Sequence, residues 1–171
     1  ESLSLFRREV VAKPCACTIE PSVLFVVQGT KQLLVGEQNF TYDAQHFLLN
    51  SLDMPASSQV IEASLDNPCL GLMLKIDMQL MADIIAQNGM NSPHDSPING
   101  SSAIGAVTSD LLAPFIRLLD LLDEPEAITT LSPLIVREIH YRLLTSDLAS
   151  RIWQIASSGN QANRISKAIG W

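Results

Sequence analysis

Three histidines are the first residues to weigh for chemistry, because imidazole is a common metal ligand and a common general base. A metal site inside a β-barrel needs two histidines two residues apart, a carboxylate and a third histidine, since alternate residues of one strand converge on one ion. His46, His94 and His140 instead fall on a predicted strand, a loop and a predicted helix. The sequence therefore predicts no metal ligand and no cofactor.

Nucleophilic catalysis would leave its own sequence patterns. The chain has no Gly-x-Ser-x-Gly turn, no cysteine and histidine paired by spacing, and no glycine-rich phosphate loop between a strand and a helix. Asp43 and Glu62 could be imagined as an acid and a base, but both fall where carboxylates are usually solvated. The sequence predicts that the protein is not an enzyme.

The three cysteines bear on the redox environment. An odd number of cysteines in a chain with ample core does not indicate a disulfide framework, and it favours a reducing cytoplasm. Cys15 and Cys17 are two residues apart, so they share one face of an extended strand. We expect buried thiols, and the alternative is a thiol sensor of oxidants or electrophiles at Cys15, Cys17 or Cys69, which would need an exposed thiolate of low pKa.

Composition and charge limit the functional classes. Of the 171 residues, 47% are hydrophobic and 17% charged, which is typical of a globular chain, and no apolar run approaches the roughly 20 residues needed to cross a bilayer. All 18 acidic residues precede residue 148, whereas Arg151, Arg164 and Lys167 follow it. We expect an acidic body that repels phosphates, no membrane partner, and a basic exit segment.

The chain is predicted to be β-rich first and helical afterwards, an α+β organisation. Short β-branched and aromatic runs that end at Gly, Pro, Asn or Asp indicate an antiparallel jelly-roll barrel. Strands are predicted at 23–28, 31–36, 39–42, 46–51, 57–63 and 69–76. The residues 36–39 tolerate positive φ, so Lys31 to Tyr42 should form a hairpin.

Helices are predicted after residue 76. Asp77 is a suitable N-cap and Gly89 suits the left-handed position after the last turn. Residues 90–102 should be an exposed connection, and further helices should run from about 108–110 to 123, from Ser132 through Leu144, near 147–157, and from 161.

A cavity inside the barrel would suit a small molecule. Leu70, Leu72 and Leu74 alternate along the last strand while Lys75 points the other way, so the leucine face is expected to be interior. The predicted lining residues are Phe25, Gln28, Tyr42, His46, Gln59, Leu70, Leu72 and Leu74. The alternative for the aromatic and polar residues of this set is that they fill a solid core or pair strands.

One predicted helix carries a broad apolar stripe. Leu111, Phe115, Leu118 and Leu122 recur at helical spacing. We expect this stripe to contribute to a homodimer interface, with packing inside one subunit as the alternative.

Several segments together resemble the N-terminal domain of AraC/XylS-type bacterial regulators. They are residues 26–31 (VVQGTK), 42–49 (YDAQHFLL), 51–55 (SLDMP), 134–139 (LIVREI), 141–144 (YRLL), 164–165 and 168–171. No single segment is diagnostic, but their order and spacing cover most of residues 14–171.

This resemblance implies a domain organisation and a function. It implies a cupin-like effector-binding barrel in 1–76, a helical linker and dimerisation region in 77–160, and the start of a helix-turn-helix DNA-binding domain in 161–171. DNA binding is then expected of the full-length transcription factor and not of this chain. The expected partners are an unknown small-molecule effector and a second subunit, and the alternatives are the thiol sensor and a metal-dependent cupin enzyme.

Overall fold

Nine strands form two antiparallel sheets in the computed structural model, which describes residues 2–90 and 100–153. The five-stranded sheet has the order β1-β8-β3-β6-β9 and the four-stranded sheet the order β2-β7-β4-β5. The strands are β1 (Leu3–Arg8), β2 (Cys15–Ile19), β3 (Ser22–Gln28), β4 (Thr30–Val35), β5 (Gln38–Tyr42), β6 (His46–Asn50), β7 (Met54–Glu62), β8 (Cys69–Lys75) and β9 (Ser102–Ala106).

The described residues divide into two units. The first consists of 2–76 with 100–107 and holds both sheets, and the second consists of 77–90 with 108–153 and holds the helices. The predicted α+β class and the jelly-roll type of strand arrangement are confirmed. Among the described residues no hydrogen-bonded strand pair joins the two sheets, so the fold is a sandwich of two sheets and not a closed barrel.

Side chains from both sheets form the core of the first unit. Val26, Leu33, Tyr42, Leu48 and Val60 are almost completely buried together. They lie on strands whose apolar residues alternate, which is how a strand buries one face. The core therefore fills much of the space between the sheets.

Two glycines set the path of the chain between the first strands. Gly29, with φ of +80°, connects β3 of the five-stranded sheet to β4 of the four-stranded sheet. Gly36, with φ of +58°, lies in the turn of the β4–β5 hairpin, where Lys31 pairs with Tyr42. The predicted hairpin is confirmed by this strand pairing. Its turn forms readily because glycine adopts positive φ without a steric penalty.

Three strands were missed by the sequence prediction. They are β1, β2 and β9, and β9 was expected to belong partly to an irregular connection. The β9 sequence SAIGA is short and rich in small residues, but it pairs with β6 from His46↔Ala106 to Asn50↔Ser102. β9 forms a strand because it pairs with β6, which is distant in the sequence, and the strand propensity of the β9 residues alone does not indicate this pairing.

The helices are α1 (Met78–Asn88), α2 (Ser109–Asp120) and α3 (Pro125–Leu144), with a 3-10 turn at Leu121–Asp123. The predicted caps of α1 are confirmed: the Asp77 carboxylate accepts from the Leu80 amide at 3.0 Å, and Gly89 is left-handed. None of the helices in the described ranges is long and apolar enough to span a membrane.

The predicted start of α3 was wrong. Ser132 and Pro133 were expected to open a helix, but Pro125 occupies its first turn and the helix continues through Pro133. An interior proline removes one amide donor and bends a helix without always ending it. In the segment predicted near 147–157, residues 147–148 form a turn and residues 149–153 are helical. Residues 154–157 lie outside the described residues, as do His94 and 161–171.

Candidate functional site

A cavity with two lobes lies between the sheets of the first unit. The inner lobe has a volume of about 440 Å³ and the outer lobe about 520 Å³. Both lobes are lined by Cys17, Leu24, Ser58 and Met73, so they adjoin each other. Volumes of this size are typical of small-molecule sites.

Two buried polar groups of the inner lobe have no partner among residues 2–90 and 100–153. Within these residues the Tyr42 hydroxyl and the Asn50 Nδ2 amide form no hydrogen bond, although Tyr42 is 1% exposed and Asn50 0% exposed. Asn50 Oδ1 accepts from the Ser102 hydroxyl at 2.9 Å, so only the donor end of the amide is unpaired. Buried donors without partners cost free energy, and most are satisfied in folded proteins. Both residues line the lobe, so a ligand there would have two donors to engage.

The phenol of Tyr42 remains protonated over the physiological range. Burial is the main cause that raises its pKa above the ordinary value, with smaller contributions from Cys69 and Cys17. A phenol donates a hydrogen bond where a phenolate would only accept one. The inner lobe thus offers a hydroxyl donor and an amide donor.

The outer lobe is cationic. The Lys31 ammonium lies 4.3 Å from the centroid of the Phe6 ring, and no carboxylate in the described part of the chain is within salt-bridge distance of it. Burial lowers the pKa of Lys31, and Arg8 contributes in the same direction. Arg8 and Lys13 line the same lobe without a carboxylate partner among the described residues. The lobe therefore carries unneutralised positive charge in a chain whose net charge is −7.

The far end of the inner lobe is electrically balanced. Lys75 and Glu20 both line it and form an ion pair. Ser22 pairs with both Asn50 and Lys75 across neighbouring strands, so these residues are at one level of the sandwich. The positive charge of the cavity is therefore concentrated at the other end, around Lys31.

Of the predicted lining residues, Tyr42 and Gln59 line the cavity and the others do not. Gln59 also donates from its side-chain amide to Gln32 at 2.8 Å. Phe25 stacks on Phe47 with ring centroids 5.4 Å apart. Gln28 donates to the Pro68 carbonyl at 2.8 Å, and His46 is exposed and bonded to Asp43 at 2.9 Å. These three side chains have structural partners outside the two lobes.

The face of β8 toward the cavity differs from the prediction. Met73 and Lys75 line the inner lobe, so the alternating residues Leu70, Leu72 and Leu74 are directed to the other face of the sheet. Leu72 and Leu74 are buried there. The alternation of side chains along β8 divided its residues correctly between the two faces of the sheet. Because both faces are largely buried, hydrophobicity alone does not indicate which face borders the cavity.

The residues predicted for dimerisation are mostly buried inside their own chain. Leu111, Phe115 and Leu118 are at most 8% exposed, whereas Leu122 is 60% exposed. A side chain buried in one subunit is not available to a partner, so only Leu122 of this set retains that possibility.

Two of the three cysteines line the cavity. Cys17 is half-buried where the lobes meet, Cys15 lines the outer lobe and is exposed, contrary to the expectation of buried thiols, and Cys69 is buried outside both lobes. Burial raises the pKa of the Cys69 thiol, which opposes thiolate formation at this position. No group of three or more His, Cys, Asp or Glu side chains within residues 2–90 and 100–153 is arranged to hold a metal ion.

Two residues of the site were missed by sequence reasoning, Lys31 and Asn50. Lys31, Leu33 and Val35 share one face of β4, and a lysine on an otherwise apolar strand face is a signal that could have identified it. Asn50 has no comparable local signal, because its role depends on the neighbours that leave its amide unpaired.

Comparison with known proteins gives the family. Residues 1–151 match the family described as AraC-type transcriptional regulator N-terminus. No curated protein matches the chain.

Several solved structures are similar to this chain at low sequence identity. Unsaturated fatty acid-bound ToxT from Vibrio cholerae is 10% identical with a TM-score of 0.47, and the match covers 89% of this chain and 54% of that chain. The AraC-like transcriptional activator CuxR is 14% identical with a TM-score of 0.47, and the match covers 85% and 51%. The chain thus spans about half the length of these structures. Because the family match extends over most of its residues, the chain belongs to the AraC-type transcriptional regulators and corresponds to their N-terminal domain.

Proposed function

We propose that this domain senses a small-molecule effector in the cavity between its two sheets. The observation that carries the proposal is the pair of buried, unpartnered donors, Tyr42 Oη and Asn50 Nδ2, in a lobe of ligand size. Unpaired buried donors cost free energy, and a ligand in the lobe that reached them would satisfy them. The domain then acts as a receptor and not as an enzyme.

In the whole regulator, effector binding would change how a DNA-binding domain engages its sites. A ligand does so only by binding one arrangement of the protein better than another. The acidic balance of this chain, −7 overall, supports assigning DNA contact to another part of the full-length protein.

The test of effector binding uses a cavity-filling variant. Ser58 lines both lobes, so Ser58→Phe should occupy the place where they meet. We expect ligands found by a thermal-shift screen of the wild-type chain to lose at least tenfold in affinity for this variant, because stabilisation follows occupancy.

The matched control is the adjacent residue. Ser57 does not line either lobe, and successive strand residues face opposite sides, so Ser57→Phe should bind the same ligands as the wild type. Equal binding to both variants, or a screen in which no compound stabilises the wild type, would refute the cavity as the receptor site.

We further propose that the domain dimerises through α3 and the 3-10 turn before it. Leu122, Ile128, Leu131 and Leu134 are between 36% and 63% exposed, and the last three recur every third residue along α3. This spacing forms an apolar row on one side of the helix. A second copy of the same row is the partner of matching chemistry, since a two-fold interface is self-complementary.

The dimer is tested by sedimentation of two variants. Leu134→Glu should shift the chain to monomer, because a charge in an apolar interface is costly. Thr130→Glu, an equally exposed change on α3, should leave the association constant within about twofold. A wild type that stays monomeric at high concentration would refute this interface.

A further inference from the structure

We infer that the cavity takes an elongated amphipathic anion, with its anionic group at Lys31, an apolar body, and an oxygen function at the other end near Asn50. The inference rests on the proposed effector-binding function and specifies its ligand class. Three observations carry it: the unneutralised cations of the outer lobe, the unpaired amide of the inner lobe, and the apolar wall between them.

The anionic end follows from the charges. Lys31 is half-buried, rests on the Phe6 ring and has no carboxylate partner in the described part of the chain. A partly desolvated ammonium without a counter-ion is disfavoured, and a ligand carboxylate, sulfate or phosphate ester would supply one. Arg8 and Lys13 in the same lobe add to the positive potential. A neutral ligand would leave this charge uncompensated.

Tyr42 adds a second donor toward the same end. Lys31 and Tyr42 pair directly across β4 and β5, so their side chains rise from the same face. The Tyr42 hydroxyl has no partner among the described residues, and an anion beside Lys31 would accept from it. The Tyr42 phenol and the Lys31 ammonium could both donate hydrogen bonds to one ligand carboxylate, whose two oxygens accept.

The opposite end requires a hydrogen-bond acceptor without a net charge. Asn50 presents an unpaired Nδ2 there, while Lys75 and Glu20 neutralise each other. A hydroxyl, carbonyl or ether oxygen would accept from the amide, and an ionised group would gain no net counter-charge. The two ends of the cavity thus select different groups on one molecule.

The length of the ligand follows from strand geometry. Gly71 pairs with Phe6 in β1, and Lys75 pairs with Ser22, which is the level of Asn50. The four-residue step from Gly71 to Lys75 spans roughly 13 Å. Leu24, Leu33 and Met73 line this stretch, so the body of the ligand is apolar.

The experiment compares three probes of one chain length on the 171-residue protein by titration calorimetry. Decanoate carries the anionic group alone, decanediol the hydroxyls alone, and ω-hydroxydecanoate both. We expect ω-hydroxydecanoate to bind about tenfold more tightly than either of the others, the increment of one well-placed hydrogen bond or charge contact. Equal affinities for decanoate and ω-hydroxydecanoate would overturn the oxygen end, and equal affinities for ω-hydroxydecanoate and decanediol would overturn the anionic end.

Variants assign the two ends to their residues. Lys31→Met should reduce the affinity of both acids about tenfold without affecting decanediol, and Tyr42→Phe should reduce both acids about threefold. The matched control is Arg7→Met on β1, which removes a cation outside both lobes and should leave decanoate affinity within about twofold. A loss of decanoate binding in Arg7→Met equal to that in Lys31→Met would overturn the assignment.

Asn50→Leu should abolish the preference for ω-hydroxydecanoate over decanoate while leaving decanoate affinity unchanged. The three probes on the wild type keep the oxygen end testable if this variant does not fold. A ligand from the thermal-shift screen that is lost in Ser58→Phe, combined with no binding of any decyl probe, would overturn the ligand class and leave the receptor function standing. No binding in either experiment would overturn both.

Discussion

The ammonium of Lys31 lies 4.3 Å from the centroid of the Phe6 ring, which joins β1 of one sheet to β4 of the other through a cation–π contact. Beneath the ring is Gly71 of β8, where a side chain would collide with Phe6. The position of the lysine therefore depends on a stack of three residues from three strands. Each layer of this stack gives a separate test.

Phe6→Leu should reduce the free energy of unfolding, because it removes the aromatic ring against which the Lys31 ammonium lies. The lost cation–π contact is worth about 1 kcal/mol at a partly buried site. A double-mutant cycle with Lys31→Met, followed by urea unfolding, should give a coupling free energy of about that size. Strictly additive single effects would show that the ring and the ammonium do not interact.

Gly71→Ala should destabilise the first unit by about 2 kcal/mol, because the new Cβ would lie 2.2 Å from the Phe25 carbonyl oxygen and 2.4 Å from Phe6 Cζ. Backbone does not yield easily, so the Phe6 ring and the sheet must shift. Affinity for acidic ligands should fall as Lys31 loses its support.

The comparison for this variant is Gly36→Ala. No atom of the described residues lies within 4 Å of a Cβ at Gly36, but its φ of +58° is strained for alanine, so stability should fall by about 1 kcal/mol while ligand affinity stays unchanged. A Gly71→Ala variant with wild-type affinity and stability would contradict the stacked arrangement.

His140 should make the second unit sensitive to acid. Its Nδ1 donates to the Val136 carbonyl at 2.7 Å and its Nε2 accepts from the Asp77 amide at 2.9 Å, so the ring is held neutral. Burial is the main cause that lowers its pKa from 6.5, against smaller opposing effects of Val136 and the nearby Asp77 carboxylate. The folded state therefore binds fewer protons than the unfolded state just below that value.

The contribution of neutral His140 to the free energy of unfolding is therefore fully present above the unfolded-state pKa of about 6.5, and it decreases as the pH falls below that value. We expect the free energy of unfolding of the wild type, measured in urea, to fall between about pH 8 and about pH 5. The fall should exceed that of His140→Gln over the same range by roughly 1 kcal/mol. The same pH dependence in wild type and variant would exclude His140 as its source.

Tyr42→Phe should not destabilise the free protein. The hydroxyl has no partner in the part of the chain that the structure describes, so its removal relieves the cost of a buried unsatisfied donor and leaves stability within about 1 kcal/mol of the wild type or slightly above it. Tyr141→Phe, a change at a 40% exposed ring, is the control and should be neutral. Chemical denaturation that showed a loss of several kcal/mol for Tyr42→Phe alone would mean that the hydroxyl is bonded within the fold.

Local sequence signals located much of the fold. The glycine at position 36 and the alternating residues around it specified the β4–β5 hairpin, and Asp77 with Gly89 specified both ends of α1, because turns and caps depend on residues that are adjacent in the chain. The start of α3 was misplaced for the same reason, since Pro125 and Pro133 present similar local signals and only packing selects between them.

The site was predicted less well than the fold. Tyr42 and Gln59 were identified, but Leu70, Leu72 and Leu74 were assigned to the cavity face of β8, which in fact carries Met73 and Lys75. The resemblance to the family, most of the strands and both caps of α1 could be predicted from the amino-acid sequence, because they depend on patterns of neighbouring residues. The contact of Lys31 with Phe6 and the unpaired amide of Asn50 could not be predicted, because both depend on strands brought together from distant parts of the chain.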